Sequence, residues 1–270
     1  MIEELGKNLV ELKKEFVKIY DGKSQIQEII PKSKLFPIEE SHLELLHQFA
    51  TKNPIYYNSF KKQIGSVDCV VYEGDINKYW LNSIQHGASR APFSPTWILS
   101  AYLSSLFAKS LGYKQVIDIG SGDGRIAYCA KILGLESYSI EIDEMLVNLQ
   151  NSISESVDVN FNPYCSDAIT FDYSTLDLTH PVFFIGGLAQ MGGVSLATGI
   201  LENFSSAQKQ TTGMVFAGTV SQKYTPDPIG VSGWGTLIEK FSLQVIDTII
   251  LPTVWTFKES DDTHYIFTKF

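Results

Sequence analysis

A chain of 270 residues has room for one large α/β domain and an appendage, since single domains span about 50–250 residues. Its net charge of −9 is unevenly placed: residues 1–115 hold 14 Lys/Arg against 12 Asp/Glu, and residues 116–270 hold 7 against 18. An acidic second half disfavours nucleic acid, which needs a positive surface to displace counterions, and it suits cationic partners such as amines or basic proteins, although acidity also serves solubility.

Taken in chain order, residues 2–20 place Leu5, Leu9, Leu12, Phe16 and Ile19 at helical spacing with lysines and glutamates opposite, which predicts an amphipathic helix packed on its own domain. Pro31 and Pro37 mark a loop. Ser41 or the acidic pair before it opens a helix through Leu43, Leu46 and Phe49, and Pro54 starts a short helix carrying Tyr56, Tyr57 and Phe60. Residues 67–72 read as a short strand and residues 76–84 as a helix. Residues 1–90 are therefore expected to form a mainly helical extension, either a cap that shapes the substrate site or a packing element. Two prolines three apart, Pro92 and Pro95, extend the loop at 90–97, and an apolar helix over 98–111 leads into the first strand of the main sheet.

Residues 115–144 organise the rest. Val116, Ile117 and Ile119 form the apolar run of a doubly covered parallel strand, and Asp118 interrupts it. Gly120, Gly122 and Gly124 allow a sharp turn and close approach to a ligand, with Asp123 as the N-cap candidate of the next helix. That helix turns Ile126, Ala127, Ala130 and Ile132 or Leu133 inward and stops at Gly134. Residues 137–140 make the second strand. Glu141 stands at its end, 21 residues after Gly120, where doubly wound folds place an acceptor for ribose hydroxyls. A dinucleotide fingerprint counted from Gly120 would need a third glycine where this chain has Arg125.

The string DIGSGDG at 118–124, followed by IEID at 140–143, resembles the first two motifs of class I S-adenosylmethionine-dependent methyltransferases. The resemblance implies a seven-stranded, mostly parallel, doubly wound α/β sheet over residues 91–270 with S-adenosylmethionine as cofactor. It implies that Asp118 and the loop of Gly120, Ser121, Gly122 and Gly124 hold the methionine end, and that Glu141, followed by Ile142, holds the ribose. The proline-threonine loop, helix and glycine turn together resemble lysine methyltransferases of the Dot1 type and their small archaeal relatives. By that closer resemblance Phe93, Ser94 and Thr96 close over the methionine moiety.

Residues 143–154 form a helix with Met145, Leu146 and Leu149 inward, and residues 157–161 a third strand. Asp167, with Ala168 beside it, is placed to accept from an adenine amino group, or else is another N-cap. Residues 182–185 are the fourth strand, and the glycine-rich loop 186–193 after it lies where ligands bind in such sheets; Gln190 could orient a substrate there. A helix near 196–204, a strand over 214–219, a helix over 236–241 and two final strands near 243–251 and 264–270 complete the sheet, with the last strand antiparallel by the resemblance. Trp234, Trp255 and Phe257 are aromatic candidates for a pocket around an amine, or core packing.

Three cysteines without metal-like spacing indicate a reduced, cytoplasmic setting, and five scattered histidines offer no metal site. Glu3 and Glu4 stand where a basic leader would begin, and no apolar run approaches the ~18 residues of a membrane span. The expected activity is methyl transfer to an amine, with a protein lysine as one candidate acceptor. The rivals are aminopropyl transfer or small-metabolite methylation on the same fold, and a cofactor-binding scaffold without turnover. No general base is read, because Asp118, Glu141 and Tyr102 are better explained by cofactor binding or packing.

Overall fold

The computed structural model describes residues 2–20, 22–32, 36–85, 93–187, 189–221, 233–252 and 261–270. A seven-stranded sheet carries the chain from β4 (Gln115–Ile119) onward. The other strands are β5 (Glu136–Glu141), β6 (Pro163–Cys165), β7 (Pro181–Ile185), β8 (Gly213–Ser221), β9 (Gln244–Pro252) and β10 (Asp261–Lys269), in the order β6-β5-β4-β7-β8-β10-β9. The first five run parallel, and β10 is antiparallel to both its neighbours. This is the mostly parallel, doubly wound seven-stranded sheet that the motif resemblance implied, with its antiparallel last strand. The order reverses between β4 and β7, which opens the crevice where such sheets bind ligands.

Alternation along the strands divides the core into two. Val116, Val182, Phe184, Val215, Tyr265 and Phe267 face one side, against α1 (Ile2–Ile19), α4 (Ile98–Ser110) and α5 (Arg125–Ile132). Ile117, Ile119, Phe183, Ile185, Met214 and Phe216 face the other, against α7 (Gly193–Asn203) and α9 (Gly235–Lys240). Between these last two lies the short, capping-box helix α8 (Ser206–Thr211), which buries no residue. Leu5, Leu9, Leu12 and Phe16 of α1 are buried as predicted. At about 1.5–3 kcal/mol each, they hold by packing an 18-residue helix that would be marginal alone. Ile19 is left exposed in the last turn, while Lys13 is buried.

The extension is mainly helical, with α2 (Glu40–Lys52) and α3 (Asn77–Gln85) near their expected positions, and it also holds a three-stranded antiparallel sheet that was not expected as a whole: β1 (Ile26–Pro31), β2 (Tyr56–Ile64) and β3 (Val67–Gly74), in the order β1-β3-β2. A strand that was not read, β1, precedes the loop marked by Pro31 and Pro37; it is buried along its whole length and ends at Pro31, the proline being tolerated as the last residue of an edge strand. The helix expected after Pro54 is strand β2 (Tyr56–Ile64), paired with β3 (Val67–Gly74). The reason is the spacing: the more buried residues are Tyr56, Phe60 and Ile64, four apart, and a period of four satisfies a helix face and a strand face alike.

One strand of the main sheet is also displaced from its expected place. Residues 157–161 are the end of α6 (Glu144–Val157) and a coil, and the strand follows at β6. The apolar signal there came from Val157 closing the helix and from Phe161, which plugs against Tyr128 edge-on at 6.1 Å.

Candidate functional site

The site grows from the end of β4. Asp118 points to the α5 side and is almost fully buried, and its Oδ2 accepts from the Ala127 N–H at 3.2 Å. It therefore satisfies one of the open N–H groups at the start of α5 from the strand. Asp123 is not the N-cap that its position suggested: Gly124 occupies that place at φ 77° with no side-chain cap. Asp123 turns away instead, to Arg125 and Asn53. Burial pushes the Asp118 carboxyl up to about 8, and the nearby Asp123 and Glu141 push the same way, against partial relief from Arg125.

Gly120, Gly122 and Gly124 all take positive φ. At Gly122 the absence of a side chain is required twice over, because a Cβ would also sit 2.6 Å from the Phe93 ring. Phe93 thus lies on the glycine loop, and Tyr79 of α3 meets it edge-on at 6.1 Å. Thr96 contributes its carbonyl to Arg125, and Ser94 is exposed. Residues 90–92 lie outside the described residues. The Ser121 hydroxyl faces the scaffold, accepting from Ser139 Oγ at 2.6 Å and Gln150 Nε2 at 2.9 Å, while Gln150 also donates to the Gly122 carbonyl at 2.8 Å.

Glu141 closes the other wall. Its Oε2 accepts from the Gly122 N–H at 2.9 Å, and its Oε1 from Ile142 N at 2.8 Å and Asp143 N at 3.1 Å. The glycine loop and the acidic strand end are therefore one hydrogen-bonded unit. Burial raises the Glu141 pKa, and these three N–H groups pull it back. Ile142 beside it is partly exposed, and Asp143 caps α6 through Met145 N at 2.8 Å. Asp167 and Ala168 are brought alongside, since β5 pairs with β6 at Glu141–Cys165 and Ser166 N donates to the Glu141 carbonyl at 2.9 Å. Asp167 caps a turn, accepting from Ile169 N at 2.9 Å, and the Tyr173 hydroxyl holds the Ala168 carbonyl at 2.7 Å.

Beyond β7, the Gly186 N–H donates to the Ile119 carbonyl at 2.6 Å, and a Cβ on Gly186 would stand 2.4 Å from that oxygen. The two central strand ends thus close on each other through bare backbone. Leu188 and the Gln190 side chain lie outside the described residues, as do Trp255 and Phe257. Trp234 belongs to the core: it is fully buried, stacks on Phe216 at 4.8 Å and donates from Nε1 to the Ala217 carbonyl at 3.0 Å. Tyr102 is likewise structural, with its hydroxyl 2.8 Å from His42 Nδ1.

Sequence reasoning missed Arg125, Glu28, Asn53 and Tyr56. Arg125 is fully buried beneath the loop, bonded to Asp123 through Nε (2.8 Å) and Nη2 (2.5 Å), to Glu28 Oε2 through Nη1 (3.0 Å), and to the Tyr56 hydroxyl (3.3 Å). A signal was present: Glu28 interrupts the apolar run IQEII just as Asp118 interrupts VIDI. Burial pushes Glu28 up to about 7, against the pull of Arg125, the Ile98 N–H and the Tyr56 hydroxyl.

Among the described residues, no group of three or more His, Cys, Asp or Glu could hold a metal ion, and no helix is long and apolar enough to cross a membrane. No protein-family model and no curated protein matches the chain. Solved structures do resemble it. Magnesium protoporphyrin IX methyltransferase from Synechocystis PCC 6803, with bound S-adenosylmethionine, is 10% identical (72% of this chain, 94% of that one, TM-score 0.45). The Pyrococcus abyssi tRNA (uracil-54, C5)-methyltransferase, in complex with S-adenosyl-L-homocysteine, is 7% identical (78% of this chain, 43% of that one, TM-score 0.47). A ribosomal protein L11 methylase from Lactobacillus delbrueckii subsp. bulgaricus is 12% identical (63% and 79%, TM-score 0.42). At these identities the likeness is one of fold.

Proposed function

We propose that the chain binds S-adenosylmethionine across the carboxyl ends of β4 and β5 and transfers its methyl group to an amine. The observation that carries this reading is the pair Asp118 and Glu141. Both are buried at adjacent strand ends around one glycine loop, and both are held by backbone N–H groups rather than by a cation. Such residues fit the cofactor. Asp118 lacks a directly bonded positive partner and would gain one from the ammonium of the methionine end. Glu141 uses three of about four carboxylate acceptor sites on N–H groups that fix its direction, which leaves capacity for a ribose hydroxyl. Ile142 and Ala168 would flank the adenine, and Asp167 would accept from its amino group.

The bound cofactor supplies an electrophilic methyl group on a sulfonium. The protein's part is to hold that group and the acceptor in line, a contribution of about 7–11 kcal/mol in well-oriented reactions. An amine acceptor is supported by the surplus of 18 Asp/Glu over 7 Lys/Arg in residues 116–270, which attracts cations and repels polyanions such as nucleic acid. A protein lysine is the finer form of this reading and rests on the proline-threonine loop at 92–96. The cysteines, none of them in a disulfide, fit a cytoplasmic setting.

Calorimetric titration with S-adenosylmethionine and S-adenosylhomocysteine, on the wild type and on Glu141→Ala, tests the cofactor. The expected result is micromolar binding that the variant loses or weakens at least about tenfold. Absence of binding to wild type overturns the proposal. Incubation with free polyamines, a lysine-rich protein or an RNA transcript, read as S-adenosylhomocysteine formed, tests the acceptor. Turnover on RNA alone refutes the amine, and no turnover on any acceptor reduces the chain to a binding scaffold.

A further inference from the structure

The glycine loop does not stand on its own fold. Within it, Gly124 N–H reaches the Ser121 carbonyl at 2.9 Å, and at its entry Gly120 N–H reaches the Ile140 carbonyl at 2.9 Å. Three of its five residues sit at positive φ, so little in its own chain selects one conformation over others. Its exit is fixed from outside. Asp123 and Arg125, two residues apart, fold back on each other through a two-point ion pair, and neither ends its bonding there.

Asp123 Oδ2 also accepts from Asn53 Nδ2 at 2.8 Å, and Asn53 Oδ1 in turn accepts from Ile55 N at 3.2 Å, so the amide is held in place. Arg125 reaches Glu28 and the Tyr56 hydroxyl, and that hydroxyl donates to Glu28 Oε2 at 3.0 Å. The other oxygen, Glu28 Oε1, accepts from Ile98 N at 3.0 Å, the first residue of α4. Segments from β1, the α2–β2 turn, β2 and the proline loop therefore converge on the two residues that leave the glycine loop. Glu28 is 97 residues from Arg125 in sequence and Asn53 is 70 from Asp123, so the contacts are long-range by construction.

We infer that Glu28, Asn53 and Tyr56 are positioning residues of the cofactor site, through which the N-terminal extension sets the glycine loop. The inference rests on the proposed function for its ligand. A purely packing role does not account for these residues. Replacing a buried ion pair by well-packed apolar side chains of the same volume is often neutral or stabilising, so what this network adds beyond packing is the direction of its bonds. The extension is then neither a cap over the acceptor nor a packing annex, but the rear half of the cofactor site.

The test uses the full chain. Tyr56→Phe keeps the ring and removes the hydroxyl, and Asn53→Ala removes the amide bonded to Asp123; if either fails to fold, the other decides. Ile200→Val, in the core on the opposite face of the sheet, is the stability control. Two readouts are taken: calorimetric affinity for S-adenosylhomocysteine, and amide hydrogen exchange over residues 120–127 compared with β8. The expectation is that each network variant weakens binding about tenfold and speeds exchange in the loop but not in β8, while Ile200→Val lowers the melting temperature and changes neither readout. Unchanged affinity and unchanged loop exchange in folded network variants overturn the inference, as do equal losses in Ile200→Val. If wild type binds no S-adenosylhomocysteine, the proposed function falls by itself, and the exchange comparison still decides whether the extension positions the loop.

Discussion

Two pairs of buried carboxylates flank the glycine loop and are treated oppositely by their surroundings. Behind it, Asp123 and Glu28 share Arg125, and the buried Lys13, itself pushed down to about 8 by burial, adds a weaker positive pull on Glu28. In front of it, Asp118 and Glu141 are held by backbone N–H groups, one for Asp118 and three for Glu141. Burial is nearly complete in both pairs, so burial does not separate a scaffold carboxylate from a binding one. Compensation separates them. A carboxylate whose charge is answered inside the protein fixes geometry, and one left facing dipoles alone has something to gain from a ligand.

The strongest way to break this comparison is to remove the cation that distinguishes the two pairs. Arg125→Leu leaves Asp123 and Glu28 buried without their partner, and breaking such a pair costs about 3–5 kcal/mol. Urea unfolding of wild type and variant should show a loss of that size. A loss below about 1 kcal/mol would mean that both carboxylates are neutral or reached by water, and that the two sides of the loop do not differ in kind.

How far these two sides were legible in the sequence differs for a physical reason. The front pair sits in a local motif: strand, glycine turn, helix and second strand fall within 30 residues, and hydrophobic period plus glycine placement define them without tertiary information. Asp118, the glycines and Glu141 were therefore readable, and so were the strands that build the seven-stranded sheet around them, apart from the shift at β6. The rear pair is made by contacts between distant residues, which no local period encodes. Its strands were also the ones misread, because Tyr56, Phe60 and Ile64 repeat every four residues and Pro31 looks like a loop signal. Asp123 was misassigned as a cap for a related cause: one of its partners, Asn53, lies 70 residues away and meets it only in the fold. What remained visible was a carboxylate inside an apolar run at Glu28, a signal of the same kind as Asp118.

A second test sharpens the front half through pH. Asp118 is pushed up to about 8 from an ordinary value of 3.8, so the native protein keeps a proton that the unfolded chain has lost above about 4. The native state binds more protons than the unfolded state across that window. This group's stabilising contribution is therefore full below about 4, falls as pH rises toward about 8, and is gone above it. Asp118→Asn removes that share of the slope, so its urea midpoint should rise relative to wild type between about pH 5 and pH 8.5. An ammonium ligand reverses the preference and favours the carboxylate. Binding of S-adenosylmethionine at pH 7 should then release about one proton, seen as a binding enthalpy that tracks the ionisation heat of the buffer. Methylthioadenosine, which lacks the amino-acid end, should release none. Equal release by both ligands would detach Asp118 from the methionine end.

The smallest expected effect concerns a side-chain contact between the extension and the front of the site. Asn82 in α3 donates to both oxygens of Asp143, at 3.1 and 2.9 Å, and Asp143 N in turn donates to Glu141. Asn82 is only half-buried, so its bonds to the carboxylate should contribute about 1.5 kcal/mol to stability, the low end for a charged acceptor. Glu141 keeps its bonds to Gly122 and Ile142 whatever happens to Asn82, which leaves the ribose acceptor in place. Asn82→Ala should thus change S-adenosylhomocysteine affinity by no more than about threefold, less than the tenfold expected of Tyr56→Phe behind the loop. The reverse order, a large loss at Asn82 and a small one at Tyr56, would move the extension's role from the rear of the glycine loop to its mouth, and α3 would then act as a cap over the bound cofactor.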